Sequence, residues 1–202
     1  MNESAAMRLP ALLLLLLALV VAGCRGEAGA PPLKGATMGG PFTLTSHDGR
    51  RLRDSDFAGK YRLVYFGFTF CPDVCPIDLQ TIGAGLRQFE RDAPERAERV
   101  QPLFVTVDPA RDTPDVLRRY VAHFHPRLIG LTGTEAEIAA VARAYGIYYQ
   151  RGRPAPGRPA GEYAVDHSRQ AVLYDPDGRP IVIVPADQGA DAVAAELDRW
   201  VR

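Results

Sequence analysis

Apolar and polar positions divide the chain into stretches of two-residue and of helical periodicity. Residues 42–52 alternate around His47-Asp48-Gly49, which predicts a hairpin with an Asp-Gly turn. Tyr61 to Phe70 is a long aromatic and β-branched run, the pattern of a central buried strand. Cys75, Leu79, Ile82, Leu86 and Phe89 then recur at helical spacing, with Pro76 tolerated near the helix start. Leu103 to Val107 predicts a second buried strand. Thr113-Pro114-Asp115 opens a helix as cap, first-turn proline and first-turn acid, and Leu117, Tyr120, Val121 and Phe124 form its apolar stripe. Leu128 to Leu131 is a short strand. Thr134 and Glu137 form a capping box for a helix that Gly146 ends. Arg151 to Glu162, rich in Pro, Gly and Arg, predicts a loop. Ala171–Tyr174 and Ile181–Val184 flank the turn Asp175-Pro176-Asp177-Gly178, and Val193, Leu197, Trp200 and Val201 mark a closing helix.

The order is hairpin, then β-α-β-α-β-α, then a second hairpin and a final helix. Strands alternating with helices predict an α/β fold, its mostly parallel sheet covered on both faces and extended by antiparallel strands. A thioredoxin-like three-layer sandwich fits this order. It carries an added N-terminal β-hairpin and an inserted loop before the late hairpin.

Length and composition alter this picture little. The chain has 202 residues, 47% of them apolar, enough for one substantial core. Its 24 basic and 24 acidic side chains balance, so charge gives no reason to expect nucleic acid. The N-terminus adds more. Leu9 to Ala22 is almost wholly apolar and follows Arg8. Val21-Ala22-Gly23-Cys24 resembles the bacterial lipobox, in which a peptidase cleaves before a lipid-bearing cysteine. Residues 1–23 are then a lipoprotein signal peptide, Cys24 carries the lipid, residues 24–41 are a flexible tether, and 42–202 are the folded domain. An uncleaved anchor helix is the alternative, although the run is shorter than the ~20 residues that span a bilayer. Either way the domain is expected on the outer side of a membrane, in the cell envelope of a bacterium.

With Cys24 lipidated, the domain keeps two thiols, Cys71 and Cys75. A pair four residues apart closes too small a loop to stabilise much as a disulfide. Reactivity or metal binding is the better reason for it. Residues i and i+4 share a helix face with Cβ atoms ~5–6 Å apart, a span suited to two thiolates on one ion. A helix N-terminus favours thiolate over thiol. Two thiolates form a soft donor set for Cu(I), zinc or iron–sulfur. They are too few for a closed zinc site, so a third ligand is sought among four histidines. His47 lies in a polar turn, where solvation is the bland reading. His123 and His125 lie at a helix end, where they serve the last carbonyls. His167 sits in Val165-Asp166-His167-Ser168, between a loop and a strand. Spacing does not single it out.

Three motifs do. Phe-x-Phe-Cys-Pro-Asp-Val-Cys-Pro at 68–76, Val105 to Pro114, and Val165-Asp166-His167-Ser168 occur in the order of the Sco/SenC family, which this chain resembles from about residue 40 onward. The resemblance implies a thioredoxin-like fold with a mobile loop and copper, as Cu(I), Cu(II) or both, held by Cys71, Cys75 and His167. It implies a role in assembling the dinuclear copper site of cytochrome c oxidase, as copper chaperone, thiol–disulfide reductant, or both. The partners implied are the copper-site subunit of that oxidase and other copper carriers, with the membrane reached through the lipid anchor. Asp108 matches a recurring family acid and is expected to support the ligands, to contact a partner, or to cap the Asp-Pro turn. Asp166 is expected to orient the imidazole.

Other readings remain open at this level. A redox-active Cys71–Cys75 pair suits a thiol–disulfide oxidoreductase, although the usual motif has two intervening residues and this one has three. A peroxiredoxin-like peroxidase expects Thr or Ser, and Pro, where Phe68 and Val64 stand. An inert scaffold or redox sensor needs no copper at all.

Overall fold

The computed structural model describes residues 29–154, 159 and 162–202. The expectations for residues 1–23 and Cys24 lie outside the described residues. Among the described residues no helix is long and apolar enough to cross a membrane.

A seven-stranded sheet, in the order β2-β1-β5-β4-β3-β8-β9, organises the unit from Pro31 to Arg202. Its strands are β1 (Thr43–Ser46), β2 (Arg51–Arg53), β3 (Tyr61–Gly67), β4 (Val100–Thr106), β5 (Ile129–Thr132), β8 (Ala171–Tyr174) and β9 (Pro180–Val184). A separate ribbon pairs β6 (Tyr149–Arg151) with β7 (Val165–His167). The helices are α1 (Val74–Asp92), the single turn α2 (Pro94–Ala97), α3 (Pro114–Val121), α4 (Glu135–Ala144) and α5 (Ala190–Trp200).

β3, β4 and β5 run parallel, whereas β8, β9 and the β1–β2 hairpin join antiparallel. All seven residues of β3 are buried, as its continuous apolar run requires of a strand covered on both faces. The crossovers β3-α1-β4 and β4-α3-β5 step in one direction along the sheet. Right-handed connections therefore put α1 and α3 on the same face. Tyr65 and Phe104, paired in register, lie on that face. Phe104 meets Tyr120 of α3, and Tyr65 reaches Asp78 of α1. α5 joins them by close approach: a Cβ on Gly85 would lie 2.6 Å from the Val193 side chain. Phe66 points the other way, onto Tyr145 at the end of α4. The result is a helix–sheet–helix sandwich of the α/β, thioredoxin-like class.

The helix caps match the sequence signals. Thr113 accepts from the Val116 amide, and Thr134 and Glu137 close a reciprocal capping box. Arg51 of β2 also grips Glu137 at 2.5 Å, tying the hairpin to α4.

Two expectations are corrected. Residues 31–41 are not a free tether. The Leu33 amide donates to the Ile181 carbonyl, the Gly39 amide donates to the Ala144 carbonyl, and Leu33 and Met38 pack on the core. Their Gly and Pro content had masked two anchoring apolar side chains. The stretch 151–162 is not wholly loop either, because Arg151 closes β6; residues 155–158 and 160–161 lie outside the described residues.

Candidate metal centre

β3 ends at Gly67, and the chain turns through Phe68–Asp73 before entering α1 at Val74. Cys71 lies in that turn and Cys75 is the second helical residue. The shared-helix-face reading is therefore only half right. The sulfurs converge because the turn folds back: the Cys75 amide points at Cys71 Sγ, 3.5 Å away, and the Cys71 amide donates to the Phe68 carbonyl. Both cysteines are free thiols, Cys71 partly accessible and Cys75 fully buried.

His167 ends β7, and its Nε2 lies 3.1 Å from Cys75 Sγ. One donor atom each from Cys71, Cys75 and His167 lies within 4.8 Å of the others, a span that one ion can bridge. Among the described residues this is the one group of at least three Cys, His, Asp or Glu side chains that close together. The imidazole Nδ1 faces the Ser168 carbonyl at 2.8 Å. A carbonyl only accepts, so Nδ1 carries the proton and Nε2 turns its lone pair toward the thiols. That is the tautomer a metal-bound histidine needs. The Phe68 ring meets the imidazole edge-on at 5.7 Å.

Burial governs the protonation of this group. It pushes the Cys75 thiol up to about 12, against the expectation that the helix N-terminus would favour thiolate. Burial also lowers the His167 pKa, which keeps the imidazole neutral. A soft cation that enters must therefore displace a thiol proton but not an imidazole proton.

The two predicted supporting acids take different places. Asp166 is exposed on the strand position preceding His167, and strand alternation sends it to the opposite face. The Ser168 carbonyl, not Asp166, orients the ring. Asp108 is buried, with its carboxylate taken up by Arg111 and by the Tyr163 hydroxyl at 2.7 Å. Arg111 stacks on Tyr163, Phe70 and Phe68 and donates to the Tyr163 carbonyl. Asp108 thus anchors the segment that leads to β7.

Sequence reasoning missed three contributors. Asp112, inside the Val105–Pro114 motif, is fully buried. It accepts from the Thr69 amide and hydroxyl and from the Thr106 hydroxyl, pinning the cysteine turn to β4. Gly67 makes room: a Cβ there would stand 3.2 Å from Cys75 Sγ and 3.0 Å from the rings of Tyr65 and Phe104. Asp78 is buried one turn beyond Cys75 and is gripped by Arg169 and Tyr65. Paired buried acids carry no periodic signal. His47 and His125 are structural: His47 Nδ1 accepts from the Gly130 amide, and His125 sits between the Arg127 amide and Glu90.

The family model described as SCO1/SenC matches residues 30–202. This chain belongs to the SCO1/SenC family. The bovine "Protein SCO2 homolog, mitochondrial" is 46% identical over 155 residues, which are 76% of this chain and 56% of the relative. The human "Protein SCO1 homolog, mitochondrial" is 39% identical over 165 residues, which are 82% of this chain and 53% of the relative. The chain spans about half the length of these curated SCO1/SenC relatives. Among solved structures, copper-bound ScoI from Bradyrhizobium japonicum superposes with a TM-score of 0.71 at 39% identity, covering 81% of this chain and 99% of that one. The curated relatives are named as mitochondrial proteins, which stands against the expected bacterial cell envelope; that location is withdrawn.

Proposed function

We propose that this SCO1/SenC domain carries copper on Cys71, Cys75 and His167. We further propose that it delivers the ion to the dinuclear copper site of cytochrome c oxidase during assembly, reduces that site's cysteines, or does both. The observation that carries the reading is the meeting of two sulfurs and one correctly tautomeric imidazole from distant chain segments. Cu(I) is soft and accepts low coordination, so two sulfurs and one nitrogen suffice. The names of the curated relatives point to the mitochondrion as the compartment. Attachment to a membrane through the N-terminal apolar run belongs to this proposal.

Geometry supports the carrier role. Cys71 is partly open to solvent, whereas Cys75 is fully buried. A partner thiol would therefore meet Cys71 first. The same asymmetry favours the second reading, thiol–disulfide exchange. In that chemistry an accessible thiolate attacks the partner's disulfide and the buried thiol resolves the mixed disulfide. Copper titration of the reduced protein, followed by absorption, tests the carrier reading. One ion per chain, lost in the Cys71→Ser, Cys75→Ser double variant, is expected. Equal copper uptake by the double variant would remove the thiols from the site. Trapping of a mixed disulfide through Cys71 with an oxidised dithiol peptide tests the reductant reading.

A further inference from the structure

The geometry points to an ion pair, Arg169 with Asp78, as the clamp that holds His167 against the two cysteines. This inference rests on the copper reading of the same site and assigns it two positioning residues.

The imidazole needs such a clamp because of the topology. Among the described residues β7 pairs only with β6, in a ribbon outside the main sheet, and no sheet ladder there fixes His167 relative to α1. The far end of the ribbon is fastened by Arg111 to the Tyr163 carbonyl. At the near end, two residues past His167, Arg169 reaches across to α1. Its Nη2 donates to Asp78 Oδ1 at 2.6 Å and its Nε to Oδ2 at 3.1 Å, the two-pronged geometry that fixes direction as well as distance. Asp78 lies one helical turn beyond Cys75 and its side chain is 1% exposed. Tyr65 of β3 donates to the same carboxylate at 2.9 Å, so the acid cannot swing away.

One buried carboxylate is thus held by the strand beneath the site and grips the segment that carries the third ligand. The arginine side chain is about half exposed, whereas the carboxylate it grips is buried.

Arg169→Met and Arg169→Lys test the clamp in the full-length reduced protein, titrated with Cu(I) against a competing chelator. Residues that support metal ligands typically contribute about 10–100-fold in affinity. Arg169→Met should weaken copper binding by that order, with lysine in between because it keeps charge but loses the fork. In a His167→Ala background, Arg169→Met should cause no further loss, since the clamp acts only through the imidazole. Equal losses in both backgrounds would overturn the assignment and make Arg169 merely structural. If Arg169→Met does not fold, the lysine variant decides by the same comparison. A metal-free readout separates this claim from the copper reading. The NMR contact between the His167 ring and the Cys75 methylene should be present in the wild type and lost in the variant. Its persistence in the variant would overturn the clamp whatever copper does.

Discussion

Cys75 Sγ and His167 Nε2 stand 3.1 Å apart although 92 positions separate them in the chain. The fold achieves this by ending β3 beside the open end of the β6–β7 ribbon, where Tyr149 pairs with His167. One hydrogen bond, from His167 Nδ1 to the Ser168 carbonyl, sets which nitrogen faces the sulfur.

His167→Ala should leave the fold intact and weaken copper binding by at least the ~10–100-fold that loss of a ligand's supporting partner produces. The ring is half-buried at the edge of the core, so circular dichroism and the urea midpoint should move little. Unchanged Cu(I) affinity in competition with a chelator would exclude the imidazole as a ligand.

Gly67→Ala should strain the site without adding or removing a ligand. A methyl 3.0 Å from two aromatic rings and 3.2 Å from Cys75 Sγ forces one of them to shift. Overpacking of this kind costs about 1–3 kcal/mol. Urea unfolding should report that loss, with weaker copper binding alongside it. A variant as stable as the wild type would mean that the sulfur yields freely.

Asp112→Ala should destabilise the cysteine turn. It leaves the Thr69 amide and the Thr69 and Thr106 hydroxyls without their acceptor. Unmet buried donors cost about 1–3 kcal/mol. The urea midpoint should fall accordingly, and amide exchange at Thr69 should accelerate. A slow Thr69 amide in the variant would contradict the pinning role.

His125 gives stability a pH dependence away from the metal centre. Burial lowers its pKa in the fold, outweighing Glu90; Arg127 and Arg87 also oppose its charge. The unfolded chain therefore takes up this proton first as pH falls below about 6.5. The histidine contributes nothing above that value, and below it the folded state loses stability. His125→Gln should flatten the urea midpoint between pH 7 and 5 relative to wild type. An identical slope in the variant would assign the effect to other groups.

The fold was largely legible because its signals are local. The apolar run of β3, the Thr113 and Thr134 caps and the two turns at Gly49 and Gly178 each announce themselves within a few residues. The ribbon of β6 and β7 was not. Three-residue strands rich in Gln, Arg, Asp and His have no apolar alternation, and their partners, Tyr149 with His167 and Arg151 with Val165, lie more than a dozen residues apart in the chain. The site was legible only in part. Cys71 and Cys75 declare themselves by type and spacing, whereas His167 was found through motif resemblance. Asp78, Arg169 and Asp112 act through hydrogen bonds between distant segments, which no periodicity encodes. Asp166 misled for a related reason: adjacency along a strand puts neighbouring side chains on opposite faces.

X-ray absorption at the copper edge of the reduced, Cu(I)-loaded protein tests the central claim most directly. Two sulfur neighbours and one imidazole nitrogen are predicted, with the nitrogen absent in His167→Ala. A sulfur-only shell in the wild type, or an unaltered spectrum in the variant, would contradict it.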